Sequence, residues 1–290
     1  MLPSLLVYGL INSVTLALTA LGFSLTYGIS RIANFAHGAL YVLAGFSAWF
    51  FLNRLQFNYY LAVLLSVLLI SLVGAAIYRF ALVRVRGMPL LEIIVTFALG
   101  TATLEGLRYF GFFGSSYSLP PLIRGSVNLF GVPVDSHRLA LVVIGGVLVF
   151  MLWVFTRHTR MGLAFRAIAQ DEQAAMMLGI DSDHMATLSL ALGAALIGLA
   201  AVVVLPLGFI ATESGGNILV SSIAVCILGG LESPAGVIVA SLIIGYAQIL
   251  TVAYLGPHYQ MIVSLAAILV TLILKPSGLF GKQKELEERV

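Results

Sequence analysis

Charge is what this sequence has least of. Only 9% of its 290 residues are charged and 60% are hydrophobic, whereas a water-soluble domain carries about 25% charged and about 45–50% apolar residues. A soluble fold would lack the charge to cover its surface, so burial in a bilayer is the reading that satisfies both figures. Cysteine is nearly absent as well. The single Cys226 stands inside an apolar run, which excludes an internal disulfide and suits a small buried apolar side chain. Nucleotide and catalytic signatures are missing. The Gly281–Lys282 pair is followed by Gln283 and has Pro276 five positions before it, so it is no phosphate-binding loop, and neither H-E-x-x-H nor G-x-G-x-x-G occurs. His37, His137, His158, His184 and His258 are scattered, which argues against a metal site. The chain therefore reads as non-enzymatic and without a cofactor of its own, any ATP being bound by other subunits. The formal charge of +3 comes from basic residues placed singly between apolar blocks, the pattern of loop anchors and not of a nucleic-acid surface.

What is present is a series of apolar blocks: Leu5–Ser30, Asn34–Leu52, Tyr59–Phe80, Leu91–Phe112, Leu139–Thr156, Met185–Ile210, Ile218–Gly230, Ala235–Leu255 and Tyr259–Leu274. A helix needs about 20 apolar residues to cross the hydrocarbon core. Ile218–Gly230 is short and suits a bent or re-entrant piece. The expectation is an all-α polytopic transmembrane bundle of eight to ten membrane segments. The runs are continuous and not alternating, which excludes a β-barrel. Met1–Ser4 has no basic residue and the first block is about twice a signal-peptide core, so that block reads as a retained helix.

Basic residues gather in three places: Arg79, Arg84 and Arg86; Arg157, Arg160 and Arg166; and Lys275, Lys282, Lys284 and Arg289. Placing all three in the cytoplasm requires even numbers of crossings between them, which the blocks provide. Extrapolated backward, Arg31 falls inside and the N-terminus outside if Asn34–Leu52 crosses; a re-entrant Asn34–Leu52 reverses that end. The chain then forms one transmembrane domain over 1–290, with a cytoplasmic loop at 157–184 and a cytoplasmic tail at 275–290. Gly114–Arg138, rich in Pro, Gly and Ser, is an external loop.

Three stretches carry candidate chemistry. Asn34-Phe35-Ala36-His37-Gly38 sets polar residues and a glycine at the start of a membrane segment. One reading is capping at the interface; the other is a discontinuous helix whose free N–H groups point into the bundle towards a carboxylate. The second stretch runs from Arg160 to Asp181. Its Ala, Met, Leu and Gln favour a helix of about four turns ended by Gly179, and Phe165, Arg166, Ile168, Asp171 and Glu172 give it a face for another protein. Third, Glu105 and Arg108 share a helix face and can pair; a proton relay through Glu105 or His37 is the alternative. Gln248, inside an apolar block, needs a partner within the bundle.

Together these stretches resemble the LivH-type permease subunits of branched-chain amino acid ABC importers. The likeness rests on Ala33-Asn34-Phe35-Ala36-His37-Gly38-Ala39-Leu40-Tyr41, on the loop from Gly162 to Asp181, on the Gly229–Gly236 turn and on Lys275-Pro276-Ser277-Gly278-Leu279-Phe280-Gly281, and it spans essentially the whole chain. It implies a multi-pass protein of the bacterial inner membrane that works with a second homologous permease, two cytoplasmic ATPase subunits and a periplasmic solute-binding protein. It further implies that Asn34, Phe35, His37 and Gly38 belong to the substrate path. The loop becomes the element that seats in an ATPase, through Arg160, Gly162, Phe165, Arg166, Ala169, Glu172, Ala174, Ala175 and Gly179. Importers of the broader class show E-A-A-x-x-x-G there; this chain has Gln173-Ala174-Ala175 before Gly179, with Glu172 one residue early, and its Leu205-Pro206 pair lies farther downstream than the class pattern. Permeases for urea and short amides share the likeness, and a proton-coupled secondary carrier is the distant alternative.

Overall fold

The computed structural model describes residues 2–112, 117–129 and 131–281. Gly114 of the expected external loop and Lys282, Lys284 and Arg289 of the tail lie outside the described residues. Each apolar block is a helix: α1 (Leu2–Ser30), α2 (His37–Asn53), α3 (Tyr59–Ala76), α4 (Pro89–Tyr109), α5 (Ser136–His158), α8 (Ser182–Val204), α9 (Ser214–Gly229), α10 (Pro234–Tyr254) and α11 (Gln260–Leu274). Two short helices, α6 (Arg160–Gln170) and α7 (Glu172–Met177), fill the loop between α5 and α8. Among the described residues, seven helices are long and apolar enough to span a membrane, counting the short turns that extend α3, α8 and α11. The other two apolar helices, α2 with 17 residues and α9 with 16, are shorter.

Polar residues at the boundaries explain where helices begin. The side chains of Asn58, Asp135, Asp181 and Ser233 accept from backbone N–H groups of the first turns of α3, α5, α8 and α10, satisfying donors that have no intrahelical partner. Pro89 and Pro234 occupy first-turn positions, where a missing N–H costs nothing. The external loop is not wholly irregular: β1 (Ser126–Leu129) and β2 (Val132–Asp135) pair antiparallel, Ser126 opposite Asp135 and Leu129 opposite Val132. Tyr8 reaches this hairpin, donating to the Pro133 carbonyl at 3.2 Å.

Helix α1 is the axis of the bundle and packs against α5, α8, α9 and α10. The outward faces of α3, α5 and α11 expose Leu64, Leu68, Leu72, Val143, Val147, Phe150, Leu265, Leu269 and Ile273, an apolar surface fit for lipid. Polar side chains at membrane depth turn inward instead. Gln248 is buried; its Oε1 accepts from Asn12 at 2.9 Å and its Nε2 donates to Ser264 at 2.9 Å. Gln248→Leu leaves Asn12 and Ser264 without these partners. An interhelical hydrogen bond in a membrane contributes about 0.6–2 kcal/mol, so thermal unfolding in detergent is expected a few degrees lower, read by a fluorescence melt.

The bundle has two distinct ends. Arg31, Arg79, Arg84, Arg86, Arg157, Arg160, Arg166 and Lys275 gather at one, here the basic end; Arg54, Arg108, Arg124 and Arg138 lie at the other. At the basic end Arg31 forms an ion pair with Glu232 and donates to the Ala169 carbonyl at 3.2 Å. The tail lies there too, the Leu279 and Phe280 N–H groups donating to the Leu228 and Gly229 carbonyls at 2.8 and 3.0 Å. Two stretches distant in sequence, 229–236 and 275–281, thus form one packed unit.

Candidate functional site

After α1 ends at Ser30 the chain reverses at Arg31, whose φ of 59° is rare for a side-chain-bearing residue. The ion pair with Glu232 and the Ala169 carbonyl hold it in that conformation. Residues 32–36 then run back into the bundle. His37, the first residue of α2, bonds through Nε2 to the Thr19 carbonyl at 2.8 Å. Thr19 lies about 16 Å from the Ser30 end of α1 at about 1.5 Å per residue. A second ruler agrees. A Cβ on Gly100 would lie 3.1 Å from the Ala36 Cα, and Gly100 is also about 16 Å from the Pro89 start of α4. Helix α2 therefore begins near mid-membrane and runs to the opposite end, so the chain from Arg31 to Asn53 crosses and the N-terminus lies opposite the basic end.

Non-helical backbone at that depth survives only where protein satisfies it. Here the Phe35 N–H donates to Thr96 Oγ1 at 3.1 Å, Asn34 Oδ1 accepts from the Ala36 N–H at 3.0 Å, and the Asn34 carbonyl accepts from the His37 N–H at 3.2 Å. Asn34 thus closes a local turn just ahead of α2, deep in the bundle and not at an interface, while α2 itself has no side-chain cap. The His37 ring is 2% exposed and stands edge-on to Phe23 at 5.7 Å, so it faces α1.

Helix α9 meets this start from the other side. A Cβ on Gly38 would lie 1.9 Å from the Gly215 carbonyl oxygen, so the first turns of α2 and α9 touch through backbone. The Glu213-Ser214-Gly215-Gly216-Asn217 stretch repeats the polar-plus-glycine pattern of 34–38, a signal present in the sequence in the gap between the Met185–Ile210 and Ile218–Gly230 blocks. Arg108 of α4 holds this second start, donating to Glu105 at 2.6 Å, to Glu213 at 3.0 Å and to Thr212 at 3.0 Å.

At the basic end, the stretch expected as one four-turn helix is two. Asp171 is extended (φ −152°, ψ 107°) and its side chain accepts from the Ala174 N–H at 3.0 Å, ending α6 and capping α7. An aspartate offers the backbone this alternative to continuing a helix. Gly179 has φ +86°, and the Gly179 and Ile180 N–H groups return to the Met176 and Ala175 carbonyls at 2.9 and 3.2 Å, the double bond of a Schellman ending.

The named loop residues divide into two faces. Gly162, Phe165 and Ala175 are buried: a Cβ on Gly162 would lie 2.2 Å from the Phe155 carbonyl oxygen, and the Phe165 ring lies 6.0 Å from that of Phe155. Ala169 is half-buried beside Arg31. Arg160, Arg166, Glu172, Ala174 and Gly179 are exposed. Sequence reasoning misses two further groups. Arg86 binds Glu172, Asp183 and Ser182 together, and Asp183 also accepts from the Tyr78 hydroxyl at 2.6 Å, which braces α7 to the α3–α4 turn and to α8. Met177 and Leu178 are 87% and 82% exposed.

Fold and site together define a multi-pass permease, with two helix starts meeting inside the membrane and a braced loop at the basic end. Residues 5–272 match the family described as "Branched-chain amino acid transport system / permease component", and the chain belongs to it. It is 29% identical over 297 residues to the high-affinity branched-chain amino acid transport system permease protein LivH of Salmonella typhimurium, covering 93% of this chain and 94% of that one. It is 27% identical to BraD of Pseudomonas aeruginosa, covering 96% and 95%, and 26% identical to a probable LivH of Methanocaldococcus jannaschii, covering 94% and 90%. Among solved structures, PsaBC from Streptococcus pneumoniae in complex with Fab matches at a TM-score of 0.53 and 13% identity, covering 94% of this chain and 92% of that one, a likeness of fold alone. The chain is thus a transport permease of the inner membrane.

Proposed function

We propose that this chain is the membrane-spanning permease subunit of an ATP-driven importer for branched-chain and other hydrophobic amino acids. It works beside a second permease, two cytoplasmic ATPase subunits and a periplasmic solute-binding protein, and binds no ATP itself. The basic end is the cytoplasmic end, because Lys and Arg concentrate there. The observation that carries this reading is the α6–α7 loop. One face is fixed to the bundle, while the other offers Arg160, Arg166, Met176, Met177 and Leu178 to a partner. Exposed methionine and leucine outside the lipid-facing surface mark a protein-binding site.

In the same proposal Asn34, Phe35, His37 and Gly38 shape the substrate path as its fixed wall. Asn34 and His37 anchor the start of α2, Phe35 bonds it to α4, and Gly38 admits α9. The positive ends of two helix dipoles inside the membrane favour a carboxylate, and apolar walls suit an aliphatic side chain. The secondary-carrier alternative has little support, since Glu105 is paired with Arg108 and His37 holds a backbone carbonyl.

The test is reconstitution in vesicles. Leucine uptake is expected only with the ATPase subunits, the second permease, the binding protein and ATP all present. Uptake by the purified chain alone would establish a carrier, and ATP-driven uptake of urea in place of leucine would establish the amide permease.

A further inference from the structure

Just outward of the Gly38–Gly215 contact lies a cavity of about 240 Å³, lined by Tyr41 of α2, Leu205, Leu207 and Phe209 of the α8–α9 link, and Ser214 and Ile218 of α9. Most of this lining is apolar, and its polar groups are few. Tyr41 is 2% exposed, and its hydroxyl, which forms no hydrogen bond among the described residues, is not sealed off but belongs to the lining of this cavity. Interior Tyr hydroxyls usually take a partner, so one left open to a cavity marks a place where a ligand can supply it. At the cavity's other side α9 begins without a side-chain cap; its Ser214 and Gly215 N–H groups return to the Ala211 and Thr212 carbonyls at 3.1 and 3.3 Å, which leaves the Ser214 hydroxyl as the donor on that side.

We propose that this cavity is a substrate subsite. The Tyr41 and Ser214 hydroxyls donate to the α-carboxylate of an amino acid, and Leu205, Leu207, Phe209 and Ile218 hold its branched aliphatic side chain. The inference rests on the importer reading above and narrows its substrate class. The size suits an amino acid, since drug-sized ligands occupy about 300–1,000 Å³. The lining also separates the rival solutes. Urea is polar along every edge, and its donors would go unpaired against Leu205, Leu207 and Ile218, a costly arrangement. A leucine or isoleucine side chain instead leaves water for a matching surface, with the carboxylate at the polar end. Tyr41 lies one turn beyond His37 on α2, so the anchoring that fixes His37 and Asn34 also fixes the phenol.

The test uses the complete importer with labelled leucine, alanine and urea. Tyr41→Phe removes one oxygen and should raise the leucine KM by about tenfold, the usual loss for one hydrogen bond to a charged group, with the complex assembled in normal yield. Ile218→Phe narrows the cavity and should lower leucine uptake by about tenfold or more while sparing alanine. An unchanged leucine KM in Tyr41→Phe, or equal losses for leucine and alanine in Ile218→Phe, overturns the subsite. Should Ile218→Phe fail to assemble, Ile218→Ala widens the same wall and should raise uptake of phenylalanine relative to leucine; an unchanged ratio overturns the proposal. Failure of the importer reading looks different: the unmodified complex would import no amino acid, or would import urea instead, before any variant is compared.

Discussion

Gly38→Val is expected to lower uptake by the reconstituted importer by about a hundredfold. The carbon added at Gly38 would stand 1.9 Å from the Gly215 carbonyl oxygen and 2.8 Å from its carbon. The clashing atoms are backbone, so no rotamer change relieves them, and α2 and α9 must move apart. Overpacking of this kind costs about 3 kcal/mol or more, and about 1.4 kcal/mol corresponds to tenfold. The partner glycine gives an internal control. A Cβ on Gly215 would meet the Gly38 carbonyl oxygen and Leu104 at 3.3 Å, a contact that shifts of a few tenths of an ångström relieve. Gly215→Ala should therefore keep most of its uptake and Gly38→Ala should not. Uptake by Gly38→Val equal to that of the unmodified chain would remove the two helix starts from the path.

The same junction shows where sequence reasoning stops. Apolar blocks are legible because a helix in lipid must be apolar along its length, and every block is a helix within a few residues of its expected bounds. Gln248 and the Glu105–Arg108 pair are legible for a related reason, since a polar group in an apolar block has to be satisfied nearby. Depth is not legible. Asn34–Leu52 has nearly the length and composition of a full span, yet α2 starts near mid-membrane because Arg31 turns the chain back, and that turn depends on Glu232, some 200 residues away. Ser214–Asn217 looks like the edge of a short block until α9 is seen against Gly38.

In the loop, helix propensity favours one continuous helix, and the side chain of Asp171 overrides it. Gly179 carries its own signal because an ending in the left-handed region favours glycine. Exposure of Met177 and Leu178 carries none, since the helical pattern around them is that of any amphipathic turn and only the bundle decides which side is covered. The Arg86 brace is likewise a product of tertiary packing, bringing together the α3–α4 turn, α7 and α8.

That exposed pair supports the second large expectation. Met177→Asp combined with Leu178→Asp should abolish substrate-stimulated ATP hydrolysis and uptake while the membrane bundle assembles in normal yield. Both side chains project away from the bundle, at 87% and 82% exposure, so carboxylates there bury no charge and cost the isolated chain little. In a cleft of an ATPase subunit they would replace two apolar anchors with two desolvated charges. Interface anchors contribute about 2 kcal/mol or more each, so a loss of about 4 kcal/mol weakens docking by roughly a thousandfold. The measurements are ATPase rate and co-purification of the ATPase subunits with the membrane chain. Neighbouring contacts sharpen the result. Glu172 and Ala175 stay held by Arg86 and the bundle, so a loss in the double variant reports docking and not collapse of α7. Retained ATPase stimulation with the subunits bound would mean that force enters the bundle elsewhere, and the loop would be only a brace between α5 and α8.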